Sequence, residues 1–267
     1  MRHFLELYAA LFRISLLANL QYRAAGMIWM LGLILEPVIF LVVWSRVAEA
    51  RGEPIGGYDA QAFAAYYMTL MMVNQITFTW VMESFQQRIQ LGELSYELLR
   101  PLHPVHNDIT DNVAFKLVML MVMVPALVVV YVAFDPRFDV TPRNALLAVA
   151  ALGGAFFLRF FIEWTLALAA FWTTRVAAIN RLYYSLVTFL SGRVAPLAVL
   201  PAWLQEGAAN LPFYYCIGFP VEVLLGEIDG PAIARGFVVQ AIWLALAAAV
   251  ITLVWKRAAR RYAAVGA

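Results

Sequence analysis

The sequence predicts an all-α, polytopic membrane protein with six transmembrane helices. Three observations carry that expectation. Of the 267 residues 64% are hydrophobic and only 13% are charged, against about 25% charged in soluble domains. The apolar stretches are continuous rather than alternating, which disfavours a β-barrel. Each is also about 20 residues long, enough at 1.5 Å per helical residue to cross a hydrocarbon layer. In lipid a backbone finds hydrogen-bond partners only within a helix or a closed barrel, so these runs read as spanning helices.

In chain order, residues 1–24 read as an amphipathic helix on the membrane surface. Phe4, Leu5, Tyr8, Leu11, Phe12 and Leu16 follow helical spacing, with Arg2, Glu6 and Arg13 on the opposite face. These charges also set the segment apart from a cleavable signal peptide. Spans are expected at about 25–47, 61–82, 113–134, 144–172, 181–200 and 232–255. Residues 201–230 are apolar but interrupted by Pro201, Gly207, Pro212, Gly218 and Pro220. That pattern suits a re-entrant helical hairpin buried in protein better than a full span. No repeat, low-complexity tract or soluble domain is visible, so residues 1–267 form one membrane domain.

Lys and Arg placement sets the orientation. With the N-terminus inside, Arg2, Arg13, Arg23, Arg88, Arg100, Lys116, Arg175, Arg181, Lys256, Arg257, Arg260 and Arg261 fall on the inner side. Only Arg46, Arg51, Arg137, Arg143 and Arg235 fall outside, so both termini are expected in the cytoplasm. Trp44, Trp80, Trp172, Trp203 and Trp255 lie near span ends, where amphipathic rings collect. Cys216, the only cysteine, excludes an intrachain disulfide.

Residues 83–112 then form the longest inner loop. ESFQQRIQ reads as a helical continuation of the second span, and Gly92 permits a break. ELSYELLR then forms a short helix with Leu94, Leu98 and Leu99 grouped on one side, stopped by Pro101 and Pro104. A rigid helix with an apolar stripe and the charges of Glu93, Glu97 and Arg100 suits docking into a groove of another protein. A loop helix resting on lipid headgroups is the alternative.

Taken in order, these features resemble the membrane subunit of type 2 ABC transporters, the exporter-type permeases. The likeness rests on the N-terminal helix, the six spans, and the segment Gly92, Leu94, Leu98, Leu99, Arg100, Pro101 and Leu102. It rests further on Ser191-Gly192, Pro196, Pro201, Trp203, Leu211-Pro212-Phe213, Pro220 and Gly226. The resemblance implies that residues 83–112 hold a coupling helix seated in a separate ATPase. Gly92, Glu93, Leu94, Glu97, Leu98, Leu99, Arg100 and Pro101 would carry the contact. It also implies two ATPase copies holding ATP and Mg and a second permease chain (identical or related). Abundant Ala and the preference for Arg over Lys point to a GC-rich bacterial genome, hence to a bacterial inner membrane.

Independently of resemblance, neither Lys116, after Phe115, nor Lys256, after Trp255, stands in a Gly-Lys-Ser/Thr phosphate loop. This chain is therefore expected to bind no nucleotide or other cofactor and to be no enzyme by itself. A net charge of +2 decides nothing about nucleic acid, and none is expected as a partner.

Glu36, Arg159, Glu163 and Arg193 fall inside spans, where charges are costly and need partners. Arg159 and Glu163 lie four apart and can pair. Glu36, before Pro37, has no partner on its own helix and is expected to face the interior, towards Arg159 or Arg193. Asn74 and Gln75 either bond across helices or line a substrate path. These six residues are the substrate-path candidates. Phe156, Phe157, Phe160, Phe161 and Trp164 are packing residues or a stacking surface for a hydrophobic ligand. His103 and His106, flanking Pro104, make a poor metal pair. An ion-coupled transporter carrying protons on Glu36 or Glu163 is the alternative function. An intramembrane enzyme lacks a credible catalytic pair.

Overall fold

A computed structural model describes residues 2–21, 23–173 and 176–261. The expected inner-side Arg175 lies outside the described residues, as do the side chains of Arg2, Arg23, Arg261 and Phe4. The fold is all-α, and among the described residues it holds no strand. Among the described residues, four helices are long and apolar enough to cross a membrane: Gly26–Arg51, Pro104–Phe134, Pro142–Phe171 and Gly230–Arg260.

Helix α1 (Arg2–Gln21) packs along the first half of α6 (Pro104–Phe134). Tyr8 hydrogen-bonds His106, and the Asn19 amide donates to Asp111 over 2.9 Å. Leu11, Phe12 and Leu16 sit on that side, partly buried, whereas Leu5, Ile14 and Leu17 are exposed. The apolar face is thus split between a protein contact and an outward stripe.

Helix α2 (Arg23–Arg51) contains Pro37 and lies against α3 (Ala60–Thr77). Asp59 caps α3, accepting from the Ala62 N–H, and Arg137 from the α6–α7 connection holds the same carboxylate at 2.9 Å. Helix α3 is buried on nearly every side and forms the centre of the bundle.

The second span does not run on into the loop as the periodicity suggests. The helix stops at Phe78–Trp80, with Phe78 extended (φ −58°, ψ 142°), and restarts as α4 (Val81–Gln90). The Lys116 ammonium takes the Phe78 carbonyl at 2.6 Å, and the Thr79 hydroxyl bonds Glu163. Helix α5 is the short Leu94–Leu98 turn. It is followed by Pro104 as the first residue of α6, with His103 accepting from the Val105 N–H. Pro104 therefore starts a helix rather than only ending one. The third apolar span begins some turns deeper in sequence than its helix does.

Helix α7 spans Pro142–Ala167, capped by Thr141, and runs on through a 3₁₀ turn to Phe171. Helix α8 covers only Val176–Leu190. Fifteen residues reach about 22 Å, short of a hydrocarbon core of about 30 Å, so the expected span at 181–200 is half helix and half irregular chain. Gly192 at φ +91° and Pro196 break it. The backbone carbonyls freed there are taken by side chains of the core. Tyr66 donates to Gly192 O at 2.9 Å, while Tyr67 and Trp44 each donate to Val194 O at 2.7 Å. Trp44 thereby ties α2 to the chain that follows α8.

Residues 201–230 form α9 (Ala202–Ala209), α10 (Pro212–Cys216) and α11 (Gly218–Leu225); α10 and α11 pack on α7, α11 also touches α3, and α9 lies against α10. The Tyr214 hydroxyl donates to buried Glu222 at 2.5 Å, joining α10 to α11. Helix α12 (Gly230–Arg261) crosses α7, where the Gln240 amide donates to Ala151 O and Tyr215 O. A Cβ on Gly154 would sit 2.6 Å from that amide, so the crossing needs the small residue.

Candidate functional site

The end of the bundle that carries α4 and α5 is where the loop meets the core. Arg88, near the end of α4, reaches in two directions. It donates to Glu97 of α5 at 2.9 Å and to Asp108 of α6 at 2.8 Å. The other Asp108 oxygen accepts from the Trp164 indole of α7 at 2.8 Å. Burial alone would pull the Arg88 guanidinium down, but the Asp108 and Glu97 carboxylates outweigh it and hold its pKa above the ordinary value. Four helices are thereby tied through one cation.

On this frame α5 is divided in two. Leu94 is fully buried, whereas Leu99 is 84% exposed, with Tyr96 and Leu91 exposed beside it. Leu94 and Leu98 lie four apart on one helix face, and exposure rises along the turn: Leu94 anchors it to the body, Leu98 is partly open and Leu99, past the helix end, is largely open. Gly92, at φ +72°, supplies the left-handed turn before α5. Glu93, Arg100 and Pro101 are exposed next to the apolar cluster; Glu97 is committed to Arg88.

Next to this frame, His103 packs against Trp255 and Trp164, with ring centroids at 4.5 and 5.6 Å. Burial, and to a lesser degree His106, push the His103 pKa below its ordinary value. His103 caps a helix and His106 bonds Tyr8, so the two rings take separate protein partners.

A family model described as ABC-2 family transporter protein matches residues 28–266. The chain belongs to that family. No curated protein matches it. As an ABC-2 family member the chain is a multi-pass membrane protein and a transport subunit rather than a catalyst. The family implies association with an ABC ATPase.

Within this ABC-2 permease the six residues expected along a path fall into three separate places. Arg159 and Glu163 are wholly buried and pair at 2.8 Å. Arg159 also donates to Asn74 at 2.9 Å and to Thr77 at 3.2 Å, and the Tyr183 hydroxyl donates to Glu163 at 3.2 Å. That cluster bonds α3, α7 and α8 to each other and offers nothing to a surface. Arg193 and Glu36 form a second pair, at 2.6 Å. The Arg193 side chain is buried and that of Glu36 is 38% exposed, so this pair faces outward from one flank of the ABC-2 chain. Gln75 belongs to neither group and lies with Lys116 at a groove between α3, α6 and α7.

Sequence reasoning missed Asp108 and the Phe78–Trp80 break. Asp108 follows two prolines in a polar stretch, and only its distance from Arg88 and Trp164 distinguishes it from a solvated loop acid. Of the aromatics on α7, Trp164 and Phe160 are fully buried packing residues, Phe156 and Phe161 are partly buried, and Phe157 is 42% exposed.

Proposed function

We propose that this chain is the membrane permease of an ATP-driven exporter, coupled to a separate ATPase through the α4–α5 lever. The observation that carries this is the division of α5. One side is locked into the body by Leu94 and the Arg88–Glu97–Asp108 ties, and the other presents Leu91, Tyr96 and Leu99 beside Glu93 and Arg100. An exposed apolar cluster rimmed by charge is what a partner's cleft would bury. A rigid link behind it passes movement to α6 and α7 rather than losing it in a loop.

In this reading the chain crosses the membrane six times, with α8 and the residues after it together making the fifth crossing. The lever and both termini face the cytoplasm, and the membrane is a bacterial inner membrane. Two permease chains, identical or related, enclose the path, and two ATPase copies bind ATP and Mg beneath them. Closure of the ATPases moves the levers and rocks the two bundles. The Glu36–Arg193 pair, set on an outward flank at membrane depth, lines the path or the seam between permeases. The cargo is an amphipathic or lipid-linked molecule taken from the cytoplasm or the inner leaflet.

The test is purification from native membranes in mild detergent, with ATP hydrolysis measured in the isolated complex. Hydrolysis should co-purify with the chain. Leu99→Asp or Tyr96→Asp, both at exposed positions, should remove it while leaving the unfolding temperature unchanged. Hydrolysis indifferent to both changes would overturn the docking role. Gradient-driven transport by the chain alone in vesicles would favour an ion-coupled carrier instead.

A further inference from the structure

Helices α3, α6 and α7 leave a groove of about 430 Å³ between them. That volume lies in the range of small-molecule sites, about 300–1,000 Å³. Its walls are apolar, with Leu117, Leu120 and Phe156 among them, and Gly153 opens it further, since a Cβ there would meet nothing within 4 Å. Leu117 and Val149 at its edges are exposed, so the groove opens sideways, in the direction lipid would occupy.

Two polar side chains face this apolar space. Gln75 is 2% exposed, yet neither its amide oxygen nor its amide nitrogen has a partner. Its neighbours on the same stretch are all bonded: Asn74 and Thr77 to Arg159, Thr79 to Glu163. A buried amide without partners is costly, and this one lines a cavity with room for a polar group. Beside it, the Lys116 ammonium donates to Phe78 O and Asn112 Oδ1, both at 2.6 Å. An ammonium has three N–H donors, so one remains. It stands 5.0 Å from the centre of the Phe156 ring. Among the described residues, no carboxylate lines the groove. Lys116 is twelve residues into α6, roughly 18 Å along the helix. It stands three residues into the apolar span expected from the sequence at about 113–134, on the side where head groups are expected.

We propose that this groove binds one acidic phospholipid, with an acyl chain along Leu117, Leu120 and Phe156 and head-group oxygens accepting from Lys116 and the Gln75 amide. The site is independent of the transport reading, because binding needs neither ATP nor a partner.

The experiment uses the full chain in nanodiscs of phosphatidylcholine carrying a phosphatidylglycerol with a diazirine in its acyl chain. Photolabelled peptides are mapped by mass spectrometry. Labels should concentrate on 113–120 and 149–156 and fall at least fivefold with excess unlabelled phosphatidylglycerol. Gly153→Leu, which fills the open space, should cut labelling by a similar factor at an unchanged unfolding temperature. Gln75→Leu should reduce the preference for the acidic lipid over a phosphatidylcholine probe. Equal labelling by the phosphatidylcholine probe, indifferent to Gly153→Leu and Gln75→Leu, would overturn the proposal. Displacement of the lipid probe by palmitic acid at equal concentration would also overturn it, assigning the groove to a single-chain acid.

Discussion

Removing the Asp108 carboxylate should loosen the lever more than any change on its outer face. In Asp108→Ala, Arg88 keeps Glu97 but loses its second carboxylate, and the Trp164 indole N–H is left in a fully buried site with no acceptor. A hydrogen bond to a charged group contributes about 1.5–3 kcal/mol, and an unsatisfied buried donor costs about 1–3 kcal/mol. The side chains of Arg88, Asp108 and Glu97 are only 12%, 10% and 18% exposed, so solvent screens the loss weakly. The combined effect is about 3–5 kcal/mol, the size seen when one partner is removed from a buried ion pair. Asp108→Asn keeps an acceptor for the indole and should lose about half as much. The measurement is denaturant unfolding in mixed micelles, with Asp139→Ala, at a solvent-facing carboxylate, as the control. Limited chymotrypsin digestion should show faster cleavage at Tyr96 and Leu99 in Asp108→Ala. A variant within about 0.5 kcal/mol of the control, cut no faster, would refute the view that this triad fastens α5 to the core.

Two further outcomes follow from the same geometry. The His103 pKa is depressed in the folded chain, so its contribution is present above the ordinary histidine range, about 6.5. That contribution is lost as pH falls through the lower folded value, when the proton must enter a ring that accepts from Val105 N–H and packs on Trp255. The unfolding midpoint should fall as pH drops below about 6.5, and His103→Asn, which still caps α6, should flatten that dependence. Gly192→Ala places a Cβ 2.5 Å from the Tyr66 hydroxyl at a φ of +91°. It should cost about 1–3 kcal/mol and weaken the Glu36–Arg193 pair next to it, measured as a lower unfolding midpoint; an unchanged midpoint would contradict the assigned turn.

Composition and periodicity report on a residue's solvent, because a lipid-facing or core-facing helix must be apolar along its whole length whatever it touches. That is why the membrane class and α2, α6, α7 and α12 could be read from the residues directly, together with the break at Gly92 and the i, i+4 pairing of Arg159 with Glu163. Partners distant in sequence leave no such trace. The stop at Phe78–Trp80 is made by Lys116 and Glu163, and the early end of α8 by Tyr66, Tyr67 and Trp44. Asp108 becomes a fastening point only beside Arg88 and Trp164, and Gln75 faces a groove that exists only once three helices have met. A helix's face is set by spacing a few residues apart, whereas these contacts join positions dozens of residues apart, and only the packed bundle chooses among them.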